Sequence, residues 1–202
     1  MLNINDNLSF KANIVTNLKG RDNVVGRISK SFAEKSNGIK GSLLIKRGHG
    51  DYKGSLVCTL GRVKDSPEYF IGDYDKFLSK EAKDVSQQKV DSLAGTLVKI
   101  FQILKQEHNY NKEAAKVNDK IRSVQMSKKT NASIFETMKS SNKTSKWIDI
   151  YKNLVESNNI RENSLKEQKE HLKETLITES KKIAGDNEPV LDEYIGILAD
   201  IM

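Results

Sequence analysis

The chain has 202 residues, a length that suits one domain or a compact pair. Of these residues 37% are hydrophobic and 30% are charged, and the formal net charge is +7. Cys58 is the only cysteine, which excludes an intrachain disulfide and a cysteine-based metal site. The chain does not begin with a basic head and an apolar run, and no stretch approaches the roughly 18 apolar residues of a membrane span, so the sequence predicts a cytoplasmic protein without a membrane segment.

The first part of the chain shows strand and helix signals in turn. Residues 1–9 are polar and rich in asparagine, and we interpret them as a flexible arm. Apolar residues recur at every second position in 10–18, which predicts a strand. They then recur at helical spacing across 24–32, which predicts an amphipathic helix that stops at Asn37-Gly38.

Three further strands are predicted over 39–46, 54–63 and 68–74, because apolar residues alternate there between clusters of turn-forming residues. With the first strand and its helix they make a β-α-β-β-β unit over 10–78. The simplest packing of that unit is a four-stranded antiparallel sheet with the helix on one face.

Helical signals fill the remainder, 79–202, so the predicted fold class is α+β with an α-helical C-terminal region. The strongest amphipathic pattern lies in 79–107, and a weaker one in 112–125. The stretch 127–145 is dense in Ser, Thr, Lys and Asn, and we interpret it as a short helix between flexible connectors. The helical region either packs on the sheet or stands as a second unit.

The last predicted helices differ in how wide an apolar stripe they carry. A long helix over 162–183 has one apolar residue per turn or fewer, which is narrow for a buried bundle helix. This pattern predicts a helix that either lies on the outside or pairs along one seam. A final helix over 189–202 is the most apolar of the C-terminal half. A homodimer through the helical region would explain the narrow stripe.

Charge is distributed unevenly along the chain. Residues 11–64 contain twelve basic and three acidic side chains, and 112–152 contain ten and four. The segments 65–111 and 153–202 are acidic on balance. Most of the basic residues are lysine, which lacks the planar fork with which arginine contacts phosphate and guanine. We therefore favour solvated, internally paired charge, with nucleic-acid binding by the two basic segments as the alternative.

A predicted turn brings Lys46, Arg47, His49 and Lys53 together around two glycines. Backbone N–H groups of such a turn could approach a phosphate while the cations supply charge, which makes these four residues a candidate anion site. A solvated turn is the more ordinary interpretation, because no P-loop signature is present and the flanking elements are predicted strands.

No catalytic constellation or cofactor motif is recognised. The three histidines lie in different predicted elements, so we predict no metal site. Cys58 lies in the middle of a predicted strand, where a buried, unreactive thiol is expected. Asp73 and Asp75 could pair as carboxylates, but such pairs are common at strand ends without chemistry.

Aromatic and aliphatic residues on the C-terminal helices are the candidate partner-binding residues. Trp147 and Tyr151 head one apolar stripe, and Tyr194 and Leu198 lie on the last predicted helix. Packing within the protein's own core is the competing interpretation for each of them.

Taken together, these patterns favour a non-enzymatic binding protein that uses amphipathic helices to bind a protein partner or itself. Nucleic-acid binding is one alternative, and an enzyme of unknown class acting on an anionic substrate near His49 is another. Secretion by a route that leaves no apolar signal also stays open.

Overall fold

A computed structural model describes residues 12–16, 22–64, 66–73, 85–141 and 145–185. The predicted arm at 1–9 and the predicted last helix at 189–202 lie outside the described residues. The described elements are, in chain order, β1 (Asn13–Thr16), α1 (Asp22–Lys35), β2 (Ser42–Arg47), a 3-10 turn (Gly50–Tyr52), β3 (Ser55–Leu60), β4 (Tyr69–Asp73), α2 (Gln87–Ser140) and α3 (Ser145–Ala184).

The four strands form one sheet in the order β1-β2-β3-β4. β1 pairs with β2 in parallel, whereas β2 with β3 and β3 with β4 are antiparallel. The α+β class with a helical C-terminal region is confirmed, but the predicted fully antiparallel sheet is wrong at β1. The reason is the connection, because α1 carries the chain back across the sheet before β2 begins, as in a βαβ unit.

One face of the sheet, α1 and the first part of α2 enclose the core. Phe32 of α1 and Phe101 of α2 meet with ring centroids 5.7 Å apart and planes tilted by 60°, an arrangement that aromatic rings favour. Cys58 is fully buried in this core, as predicted, and burial raises the pKa of its thiol. The other wholly inaccessible side chains include Leu43, Leu56, Ile71, Val90 and Leu104.

Polar contacts attach α2 to the sheet and to α1. Ser31 donates a hydrogen bond of 2.7 Å to Asp91, and Tyr69 donates one of 2.7 Å to Glu107. Burial and the Glu107 carboxylate together raise the pKa of Tyr69. The beginning of the helical region therefore packs on the sheet, which was one of the two predicted possibilities.

Contacts divide the chain into two compact units. One comprises the described residues up to His108 together with 180–185, and the other comprises the described residues of Asn109–Glu179. The second unit consists of the C-terminal part of α2 and most of α3, and we call it the hairpin. No helix in the described part of the chain contains an apolar stretch long enough to cross a bilayer.

The helix α2 runs without interruption from Gln87 to Ser140. It joins the two separate amphipathic patterns of 79–107 and 112–125, and it continues through 127–140, where the sequence predicted flexible connectors around a short helix. Two threonines in that stretch turn their hydroxyl groups back onto the helix. Thr130 donates to the carbonyl of Met126 at 3.1 Å, and Thr137 donates to that of Ser133 at 2.8 Å. These bonds give the two hydroxyl groups a partner within the helix, and the hydroxyl-rich composition did not end it.

The two helices of the hairpin meet along one seam. Its residues recur at alternating intervals of three and four, which is the heptad spacing of a coiled coil. All of them are buried or half-buried, while most neighbouring positions are exposed. On α2 the seam comprises Tyr110, Ala114, Val117, Ile121, Val124, Lys128, Asn131, Phe135 and Met138, and on α3 it comprises Ile148, Tyr151, Val155, Asn158, Glu162, Leu165, Lys169, Leu172 and Leu176.

A buried carboxylate fixes the register of this seam. Glu162 is only 7% exposed, and it accepts hydrogen bonds from Gln125 at 3.0 Å and Lys128 at 3.4 Å across the seam. Lys166, one turn further along α3, pairs with it at 2.8 Å. The bonds from Lys166, Gln125 and Lys128 lower the pKa of Glu162 to about 2. A slip of either helix would separate these groups.

Candidate functional site

The seam divides the surface of the hairpin into two flanks. In a heptad with seam positions a and d, positions e and b lie on one side and g and c on the other. Gln125 and Lys166 both occupy e positions, and both reach the same oxygen of Glu162. The e sides of α2 and α3 therefore share one flank, and the g sides share the opposite one.

Near the turn between α2 and α3, the two flanks differ completely in charge. The e side, which we call the charged flank, carries Lys129, Glu136, Lys139, Asp149, Lys152 and Glu156. The g side carries no ionisable side chain over the same length. We call this surface the charge-free flank, and it comprises Ser127, Thr130, Ile134 and Thr137 of α2 with Trp147, Ile150, Leu154 and Ser157 of α3.

The apolar part of the charge-free flank is open to solvent. Trp147 is 55% exposed, Ile150 38% and Leu154 42%. The hydroxyl groups of Thr130 and Thr137 bond to carbonyls of their own helix, so these side chains leave their methyl groups to form the surface. The flank is thus less polar than its composition indicates.

The width of the apolar stripe on α3 changes along the helix. Between Trp147 and Val155 apolar side chains occupy the seam and the adjacent flank. From Asn158 to Leu176 that flank carries no apolar side chain, and the exposed Ile160 lies on the outer side of the helix. A seam of positions a and d is enough for two helices, while additional apolar residues at g are typical of a helix that contacts further neighbours. The wide stripe has no such neighbour among the described residues.

The predicted partner-binding residues separate in the structure. Trp147 lies on the charge-free flank, whereas Tyr151 occupies the seam and contributes to the hairpin's own packing. Tyr194 and Leu198 lie outside the described residues. Sequence analysis did not identify Ile134 and Ile150 as surface residues, although a heptad assignment anchored on residues 148–155 would have placed both at flank positions.

The four residues of the predicted anion site lie at the end of β2 and on the turn that follows it. Lys46 lies in β2 and forms an ion pair with Glu68, while His49 and Lys53 are exposed on the turn. The backbone N–H groups of Gly48 and Lys53 donate to the carbonyls of Ser55 and Gly50. Those two N–H groups already have partners within the turn and are not directed at an anion. Arg47 is the last residue of β2.

A different set of cations surrounds a groove beside the β3–β4 connection. This groove has a volume of about 520 Å³, and Lys46, Arg62 and Lys64 lie along it with Ser66 and Glu68. Arg62 has a φ of 61°, in the left-handed region that residues with a side chain seldom adopt. Among the described residues that line the groove, three cations stand against one carboxylate. Sequence patterns did not predict this positive balance because the residues lie on separate segments.

The residues considered for catalysis are dispersed. His49 and Asp51 are exposed on the turn and do not line the groove. Within the described ranges, no group of three His, Cys, Asp or Glu side chains could hold a metal ion. The side chains of Asp73 and Asp75, which were considered as a carboxylate pair, lie outside the part of the chain that the structure describes.

Comparison of the chain with protein-family models, with curated proteins and with solved structures finds no match. The charge-free flank and the basic groove are therefore interpreted from their own chemistry.

Proposed function

We propose that this chain is a non-enzymatic interaction protein that binds another polypeptide through the charge-free flank of its hairpin. The observation that carries the proposal is the exposure of Trp147, Ile150 and Leu154 side by side on a surface without charge. Single exposed apolar residues are ordinary on protein surfaces. Here they adjoin one another in a chain that is 30% charged, and tryptophan is among the residues that contribute most to the binding energy of protein interfaces.

These side chains lie outside the seam that joins the two helices of the hairpin. The seam is closed by other residues, and its register is fixed at Glu162. An apolar flank that lies outside the seam is a feature expected of a binding surface, because water contact with apolar side chains is unfavourable unless a partner covers them.

The test compares two lysine substitutions on neighbouring residues of α3. Leu154→Lys places a charge on the charge-free flank, and Asn153→Lys places the same charge on the exposed outer side of the helix. Proteins that co-purify with the tagged chain should be lost with Leu154→Lys and retained with Asn153→Lys. Equal recovery with both variants would contradict the proposal.

Trp147 allows the same surface to be followed directly, since it is the only tryptophan in the chain. Its fluorescence should shift to shorter wavelength when a purified candidate partner covers the flank, because the indole leaves water. A partner that binds without any change in this emission would bind elsewhere.

Polyanion binding is a second candidate function, supported by the positive groove at Lys46, Arg62 and Lys64. Proteins that neutralise phosphates lose affinity steeply as salt rises. A fluorescent single-stranded oligonucleotide should bind the chain at low salt. Its affinity should fall by roughly tenfold or more when Arg62 and Lys64 are changed to alanine. Lys89→Ala, an exposed cation on α2, is the control, and no binding at low salt would remove this candidate.

A further inference from the structure

We propose that the charge-free flank binds a second copy of this chain, so that two hairpins form a four-helix bundle. The inference rests on the proposed function, because it names the partner of the same surface. It follows from three properties of the flank: its lack of charge, its division into large and small side chains, and its area.

The absence of charge favours self-association. The chain as a whole carries a net charge of +7, so two copies that approach through most surfaces bring like charges together. The charge-free flank is a surface on which two copies can meet without opposing or burying an ionised group. The nearest cation along α3 at the corresponding heptad position is Arg161, beyond the end of the flank.

The two halves of the flank are complementary in size. α3 presents the large side chains Trp147, Ile150 and Leu154, while α2 presents mainly small ones, among them Thr130 and Thr137. A two-fold axis parallel to the helices would lay α3 of each copy on α2 of the other, in antiparallel orientation. Large side chains then pack against small ones, as in the ridges and grooves of helix bundles.

The other two-fold arrangement is less favourable. An axis perpendicular to the helices would oppose α3 to α3, which places the large side chains against each other and leaves the small ones facing a gap. Interiors that pack without voids favour the first arrangement. It has the further consequence that Ile150 of one copy lies level with Thr137 of the other, because the register at Glu162 places these residues at similar heights along the hairpin.

The area of the flank sets the strength of the association. Ten residues of helix extend about 15 Å, and two helices are roughly 20 Å wide, so each copy contributes on the order of 300 Å². The total of roughly 600 Å² is well below the usual range for stable complexes. A weak dimer that dissociates on dilution is therefore expected.

Sedimentation equilibrium from about 5 to about 500 µM tests the association. The full chain should approach twice the monomer mass at the upper end. Leu154→Lys should raise the dissociation constant by roughly tenfold or more, because it introduces a charge into an apolar contact. Asn153→Lys should leave the constant within about twofold, since surface changes outside a contact have small effects. A monomer at 500 µM, or equal effects of the two variants, would overturn the proposal.

Cysteine crosslinking tests the arrangement. A mixture of Ile150→Cys and Thr137→Cys chains should form a mixed disulfide, while each variant alone should not, because a disulfide requires Cα atoms closer than about 7 Å. Cys58 is fully buried and does not compete. Crosslinking of Ile150→Cys with itself would overturn the arrangement. A monomeric chain that still captures another protein through Leu154 would reject the second copy as partner and leave the proposed function standing.

Discussion

Phe32 of α1 and Phe101 of α2 are 69 residues apart in the chain, and their side chains are in contact. This contact joins α1, α2 and the sheet in one core. Sequence periodicity predicted that each would lie on an apolar helix face. It could not predict that they would meet, since the tilt of one ring on the other depends on how the two helices cross the sheet.

Phe101→Ala should lower the free energy of unfolding of the first unit by about 3–5 kcal/mol, because it leaves a cavity at a site that is 1% exposed. Urea denaturation followed by circular dichroism measures the change. Tyr52→Ala is the control, since Tyr52 is 39% exposed, and it should cost about 1 kcal/mol or less.

Gly48→Ala should destabilise the β2–β3 turn. A Cβ atom at Gly48 would lie 2.3 Å from the carbonyl oxygen of Tyr52, a backbone atom that cannot rotate away. We expect a loss of about 2 kcal/mol or more in urea denaturation, in the range of other overpacked sites. Gly54→Ala would be a misleading control because of its positive φ, so the comparison is Gly95→Ala, where no atom lies within 4 Å; it should be neutral or slightly stabilising.

At the scale of elements, the hairpin shows why helix breaks are difficult to predict from composition. Ser, Thr and Asn in 127–145 are typical of connectors, yet the structure continues α2 as far as Ser140. Phe135 and Met138 keep the seam spacing through this stretch, and packing against α3 outweighs weak intrinsic helix propensity. The narrow stripe over 162–183 fits either a helix on the outside or a helix paired along one seam. In the structure Glu162 of this stretch bonds to Gln125 and Lys128 of α2, so a homodimer is not needed to explain the stripe.

The hairpin should lose stability in acid through Glu162. Its pKa is lowered from the ordinary 4.5 to about 2, so the folded state favours the carboxylate. The stabilisation is complete above about pH 4.5 and is lost as the pH falls towards about 2. The melting temperature of the wild type should therefore exceed that of Glu162→Gln near neutral pH, and the two should converge near pH 2.

The matched control is Glu156→Gln, which removes an exposed carboxylate from the same helix. Its stability should stay within about 0.5 kcal/mol of the wild type at neutral pH. A difference between wild type and Glu162→Gln that stays constant from pH 6 to pH 2 would show that the Glu162 carboxylate does not contribute in the way inferred here.

At the scale of the whole molecule, the two units differ in how densely they bury apolar side chains. The first encloses a continuous core of sheet and helix residues, whereas in the hairpin only Ala114, Val117 and Val124 among the apolar side chains are buried. Local opening is easier where fewer apolar contacts must be broken. The hairpin should therefore be the more dynamic unit.

Hydrogen exchange followed by mass spectrometry should show this difference within a single helix. Amides of α2 between Leu93 and Leu104 should exchange at least tenfold more slowly than those between Met126 and Met138, because the former lie over the core. Equal protection along α2 would mean that the helix opens as one body. If dimerisation covers the charge-free flank, protection of the second stretch should rise with protein concentration.

The sequence by itself determined the α+β class, the four strands and the buried faces of α1 and α2, because these depend on apolar periodicity and turn formers that lie close together along the chain. Only the tertiary structure decided the direction of β1, the continuity of α2, the position of Tyr151 in the seam and the charge-free flank. Each of these depends on which distant residue lies opposite. A period of 3.5 or 3.6 marks which residues share a helix face, but the register at Glu162 is needed to say which faces of two helices form one surface.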